Sequence, residues 1–342
     1  MAVKQLIRAL MFLVAVSAVL LLADLQNRKG VIHHKVKTRI AIFRFNSNQI
    51  LEETERGVLD RIRASEDFTD NRVEIQRYCA EGDMPTANMI ARNIVGEKFD
   101  VVVSISTPGL QVMANANKDG GVLHVFCAVT DPVAAGVGIT GTAANQHPDH
   151  LVGIGTFQPV EGIFRIARIM NPDLRKVGVV WCTSETCSEA CVKKARMICK
   201  ELGIELVEMS VETVSQVYEA ALAVSSKGVE ALWIGGDNIV ESAIEMYIDA
   251  AGKNGIPVLS NNPKHAFKGA MANLGANYFE VGQTAGEMVV SLINGLSASK
   301  IEIKNVVPEK LYINDSARKL MKDKWLFPNE LKARTDSVIE KR

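Results

Sequence analysis

The chain has no excess charge of either sign: Lys+Arg and Asp+Glu stand at 39 each, and no basic block interrupts the balance. A nucleic-acid binder needs a positive face, so that partner is not expected. Catalytic signatures are missing as well. There is no G-x-S-x-G, no G-x-x-x-x-G-K-[ST] and no strand-linked G-x-G-x-x-G. None of the histidines, His33, His34, His124, His147, His150 and His265, sits in a strand-exit loop beside a Ser or Cys nucleophile. Tight C-x-x-C pairs are absent too, which argues against a metal site. The six cysteines are Cys79, Cys127, Cys182, Cys187, Cys191 and Cys199. Cys187 and Cys191 share one helix face, and a loop disulfide from Cys182 to Cys187 is expected, the others being small core residues. A binding protein without cofactor or metal is therefore expected, not an enzyme.

The N-terminus differs from the rest. Lys4 and Arg8 precede an unbroken apolar run from Ala9 to Ala23, after which Asp24 to Lys29 turns polar. A charged start followed by an apolar stretch is an export signal. Bulky Leu21 stands where cleavage after Ala23 wants a small residue, and no cysteine follows to carry a lipid. Residues 1–30 are thus expected to be a signal or an N-terminal membrane anchor, the uncleaved helix being favoured, with the bulk of the chain periplasmic or otherwise extracytoplasmic.

At 342 residues with 47% apolar content, the remainder suits two lobes of roughly 100–150 residues. From Thr38 onward short apolar strands alternate with helical periodicity. Arg39–Phe45, Val73–Arg77, Val101–Ile105 and Val122–Val129 are predicted strands, and the rhythm restarts at Lys176–Trp181 with Glu205–Met209, Ala231–Ile234 and Pro257–Leu259. Such alternation gives an α/β fold of two doubly wound, mostly parallel sheets. The first lobe is expected over 36–157 plus 277–342, with Ile301–Val307 and Leu311–Ile313 finishing its sheet, and the second over 158–276. Hinges are expected near Phe157–Pro159 and Gly275–Asn277.

In open parallel sheets a ligand lies beyond the carboxyl ends of the strands, where helix N-termini offer unpaired N–H groups. The exits hold Asn46-Ser47-Asn48, Ser106-Thr107-Pro108-Gly109 and Thr130-Asp131-Pro132 in the first lobe. In the second they hold Thr183-Ser184, Gly235-Gly236-Asp237-Asn238 and Ser260-Asn261-Asn262. Each of these short polar residues is also a good helix cap; convergence of six such loops is what points to a ligand. The candidate ligand-binding residues are Asn46, Ser47, Ser106, Thr107, Thr130, Asp131, Thr183, Ser184, Asp237, Asn238 and Asn261. Ser106 and Thr107 suit a carboxylate, and Asp131 or Asp237 an ammonium. Phe45 and Tyr278 are candidates to stack on an aromatic ligand, against a competing role in the core.

Val129-Thr130-Asp131-Pro132-Val133-Ala134-Ala135-Gly136, continuing to Gly138-Ile139-Thr140-Gly141, resembles a segment of the ABC-transporter substrate-binding family that includes tryptophan- and tyrosine-type binding proteins. Ser106-Thr107-Pro108, Asp237-Asn238, Asn277-Tyr278-Phe279-Glu280-Val281-Gly282 and the ending Pro328-Asn329-Glu330-Leu331 are similar too. The resemblance implies a type I periplasmic-binding fold with three crossovers, a cleft lined by Thr107, Thr130, Asp131, Asp237 and Asn238, and a membrane permease as partner of a monomeric protein. It departs at Cys182–Cys187, where a turn of the Asn-Pro-Gly kind is common. The expected ligand is a small polar solute, an amino acid, aromatic ones included. The alternative is the same clamp held at the membrane as a ligand sensor.

Overall fold

The computed structural model describes Ser17 and residues 37–69, 72–321 and 325–340. But for Ser17, the expected signal or anchor over 1–30 lies outside them. Among the described residues no helix is long and apolar enough to cross a membrane.

Two sheets organise the described residues from Thr38 onward. The first contains β1 (Thr38–Arg44), β2 (Val73–Cys79), β3 (Val101–Ile105), β4 (Leu123–Val129), β5 (Leu151–Gly155) and β11 (Lys304–Asn305), in the order β11-β5-β4-β3-β1-β2. All its pairings are parallel. The second contains β6 (Lys176–Cys182), β7 (Glu205–Val211), β8 (Ala231–Ile234), β9 (Val258–Ser260), β10 (Ala272–Ala276), β12 (Glu309–Asn314) and β13 (Ser337–Ile339), in the order β13-β12-β10-β9-β8-β6-β7. Among the described residues, only the β10–β12 pairing is antiparallel.

Strands such as Val101–Ile105 and Ala231–Ile234 are buried along their whole length, as expected when helices cover both faces. On one face of the first sheet pack the helices Gln49–Arg63 and Tyr278–Ile293, through Val58, Ile62, Val281 and Val289. Ala87, Ile94 and Met113, from the helices Met84–Gly96 and Thr107–Ala116, cover the other. The second sheet is covered by Val160–Met170 and Thr186–Leu202 on one face, and by Val217–Ser225 and Ile244–Lys253 on the other. The chain passes between sheets three times: after β5, after β10 and between β11 and β12.

One expectation is corrected. Leu311–Ile313 was expected to finish the first sheet, but β12 pairs with β10 in the second, and β13 follows it there. Leu311 and Ile313 pack into the second sheet's core with Trp325 and Leu331. An apolar strand can add to either sheet, and its alternation does not say which.

Candidate functional site

The loops leaving the strands meet between the sheets around a small cavity of about 30 Å³, room for one or two waters. On the first sheet's side, Ser106 leaves β3 and caps the helix Thr107–Ala116, its Oγ accepting from Gly109 N at 3.1 Å. Its φ of +99° lies where side chains are strained. Ala128, at φ +52°, lies in the register shift of β4 that leads into Thr130. Two of the strained non-glycine residues therefore line the cavity, as is common where a ligand is gripped. Thr130 N donates to Thr107 Oγ1 at 3.3 Å, so the Thr107 hydroxyl keeps its proton to give. Asn48 caps the helix Gln49–Arg63 through Leu51 N.

The crossing after β5 supplies Thr156 and Gln158. Gln158 Nε2 donates to Tyr278 OH at 3.0 Å, at the start of the helix Tyr278–Ile293. Gln158 Oε1 and Thr156 Oγ1 are buried without a hydrogen-bond partner. Both residues line the cavity, and an unpaired buried polar atom costs about 1–3 kcal/mol.

The second sheet contributes carboxylates. Asp237 caps the helix Asn238–Ser242 through Val240 N, and its Oδ2 accepts from Cys182 N and Ser188 Oγ, both at 2.6 Å. Glu185 accepts from Asn238 N at 2.9 Å and from its side chain at 3.1 Å. Burial, with Asp237 nearby, pushes the Glu185 carboxyl up to about 7; burial also raises that of Asp237. Glu241 lines the cavity and pairs through Oε2 with His265 Nε2 at 2.9 Å, while His265 Nδ1 meets Ser260 Oγ at 2.8 Å. Cys187 also lines the cavity, and burial holds its thiol well above the usual range, so it stays protonated.

The structure brings together Ser106, Thr107, Thr130, Asp237 and Asn238 at the cavity. Asn46 is not part of the cavity lining; it donates to Ser242 Oγ across the gap at 2.9 Å. The other candidates lie elsewhere. Ser47 bonds Glu81, Thr183 bonds Glu212, and Ser184 meets the Cys182 thiol. Asp131 caps its own loop through Val133 N and Ala134 N. Asn261 is locked in the core by Trp233 Nε1 and Leu274 O. Phe45 is core, whereas Tyr278 faces the cavity. All six cysteines are free thiols, so the expected Cys182–Cys187 disulfide is absent; Cys187 turns instead to Glu185 and Asn238. Sequence reasoning missed Thr156, Gln158, Glu185 and Glu241. Thr156 and Gln158 follow β5 without a capping pattern, and Glu241 is one turn inside a helix. Among the described residues no cluster could hold a metal ion.

Contacts that tie the two sides among the described residues include Asn46 to Ser242, Asn48 Nδ2 to Asn238 Oδ1 at 3.4 Å, Gln111 Nε2 to Thr186 Oγ1 at 3.2 Å, and Lys264 to Glu53 at 4.0 Å. A larger groove of about 340 Å³ lies by Pro257, at the N-terminal end of β9; its Asn314 is already used as a helix cap.

Two doubly wound sheets with strand exits facing one another across a small cavity define a two-lobe solute-binding protein. The chain belongs to the ABC transporter substrate binding protein family, whose model matches residues 39–339. A tyrosine-binding protein of Clostridioides difficile (strain R20291) is 26% identical over 298 residues, covering 87% of this chain and 85% of that one. Among solved structures, a conserved domain protein from Vibrio cholerae is 27% identical with a TM-score of 0.83, over 88% of this chain and 99% of its own. An ABC domain in complex with L-Trp from Streptococcus pneumonia is 21% identical, with a TM-score of 0.81 over 89% of this chain and 100% of its own. The ligand-free, open structure of a Clostridium difficile substrate-binding protein with adhesive properties is 27% identical, with a TM-score of 0.65 over 89% of this chain and 100% of its own.

Proposed function

We propose that this protein captures a free amino acid between its lobes and presents it, as an extracytoplasmic monomer, to the permease of an ABC importer. The observation that carries the reading is the interlobe cavity lined by hydroxyls on one side and carboxyls on the other. Ser106 and Thr107 hydroxyls stand at the N-terminal end of the Thr107–Ala116 helix, where a carboxylate is favoured. Across from them are Asp237 and Glu241, and at the crossing Thr156 and Gln158. The printed ligands of the relatives, tyrosine and L-Trp, support an amino acid as the class.

The cavity, at about 30 Å³, is too small to hold an amino acid while the cross-gap contacts stand, so capture requires the lobes to part. The contacts that bridge the two sides support a closed state here. Asp131, Glu189 and Lys193 line a separate pocket that shares no residue with the cavity.

The test is a thermal-shift screen of the protein against amino acids, sugars and nucleosides. A ligand at 100 times its Kd adds about 2.7 kcal/mol of stability, so a rise of several degrees is expected with an amino acid. A rise with a sugar or nucleoside alone would contradict the reading.

A further inference from the structure

We infer that Glu185 couples closure of the lobes to the uptake of a proton, so that the solute is gripped more tightly in acidic than in alkaline surroundings. The inference rests on capture between the lobes and adds its regulation. Glu185 does not line the cavity but stands behind Asn238, which does, and the contacts that bridge the gap lead to it. Asn48 Nδ2 donates across the gap to Asn238 Oδ1. Asn46 donates to Ser242 Oγ, which in turn donates to Asn238 O at 2.7 Å. Gln111 reaches over to Thr186, the residue after Glu185. Asn238 is thus where the first lobe takes hold, and Glu185 fixes it. Glu185 Oε2 accepts from Asn238 N, from Asn238 Nδ2 and, at 3.4 Å, from the Cys187 thiol. With its NH₂ group held by that oxygen, the Asn238 amide turns Oδ1 to Asn48.

Closure changes the cost of charge at Glu185. Among the described residues, the ionisable groups against it are Asp237 from the loop after β8, Cys182 from β6 and Cys187 from the following helix, with Glu241 beyond Asp237. None is a cation, so a carboxylate here has only neutral donors to offset its burial. The first lobe completes the cover, since Asn48 and Gln111 sit on the residues to either side of Glu185. Parting the lobes lets water reach this side, and the ionised form becomes easier to hold; closing reverses this. In the closed protein burial, with Asp237 nearby, holds the carboxyl up at about 7. A proton on Oε1 leaves Oε2 a carbonyl oxygen that still accepts all three bonds, so the cross-gap contacts stand in both protonation states. The closed form therefore binds the proton more tightly than the open one. Its advantage is present at low pH and is lost as pH rises through about 7.

The test is calorimetry on the full chain with the amino acid found in the screen, in two buffers of different ionisation enthalpy, which counts protons taken up on binding. About half a proton should be taken up at pH 6.5, and Kd should rise about tenfold between pH 6 and pH 8. Glu185→Gln keeps an oxygen for Asn238 and carries no charge at any pH, so both effects should vanish in it. Uptake below about 0.2 proton in the parent, or the same uptake in the variant, would overturn the inference. If no amino acid binds, the capture reading fails by itself, and the solute-free protein decides. Spin labels at Met89→Cys and Met246→Cys, exposed positions on the two lobes, are then compared in a Cys79→Ser background. More of the shorter distance at pH 6 than at pH 8 supports the inference, and equal distributions remove it.

Discussion

Glu185 shows how much one buried carboxyl can reveal about the site. Its charge is disfavoured by burial and by Asp237, and its folded value of about 7 lies above the ordinary carboxylate range. Between about pH 4.5 and 7 the folded protein therefore holds a proton that the unfolded chain has released. Stability contributed by this group is full at low pH and falls as pH rises through that window. Glu185→Gln should remove this slope and stabilise the protein at pH 8 by on the order of 2 kcal/mol. Urea unfolding of both proteins at pH 5 and pH 8 checks this, and an unchanged slope in the variant would refute it. At this scale the sequence was only partly informative. Asp237, Ser106 and Asn238 could be picked out because polar residues at strand exits are recognisable, whereas Asn48, two residues beyond the chosen Asn46, was passed over. The same pattern drew in Ser47, Thr183 and Asp131, whose side chains turn to Glu81, Glu212 and a local loop. Nothing in residue type separates a cap that faces the cavity from one that faces solvent. Thr156 and Gln158 gain their meaning from being left unpaired, which only packing reveals.

At the scale of elements, the pair of helices Gln49–Arg63 and Tyr278–Ile293 joins distant parts of the sequence at the back of the cavity. Their backbones touch at glycines. A Cβ on Gly57 would stand 2.0 Å from Phe279 O, and one on Gly282 2.0 Å from Thr54 O. Neither glycine needs a special φ; both are small so that the helices can meet. Gly282→Ala should therefore push the helices apart, at a cost of about 2–3 kcal/mol. Because the second helix begins at Tyr278, the same change should weaken solute binding. Chemical unfolding with a binding assay tests both effects, and a variant of native stability would contradict the packing account. Strands and helices were legible from periodicity here, since parallel strands read as short apolar runs between helical patterns. The destination of Leu311–Ile313 was not. Its apolar residues suit either core, and the antiparallel pairing with β10 is decided by where the third crossing delivers the chain.

For the whole molecule, the central claim is that two lobes part and close on a solute. The Asn46–Ser242 and Asn48–Asn238 contacts bridge the gap with neutral side chains, each worth about 1 kcal/mol. Such bonds are weak enough to break for entry, and a bound solute that touches both walls shifts the balance toward closure by its differential affinity. The doubled strand-helix rhythm announced two lobes in the sequence, but the enclosure of the cavity depends on three-dimensional contacts between residues far apart in the chain. Met89 and Met246 are exposed on helices that flank the Asn46–Ser242 contact, one on each lobe. Spin labels placed there by Met89→Cys and Met246→Cys, with Cys79→Ser to remove the most accessible native thiol, report the opening directly. With saturating amino acid the distance distribution should narrow and shift to its shorter limit, with longer distances populated in its absence. A distribution unchanged by a solute shown to bind would contradict the clamp.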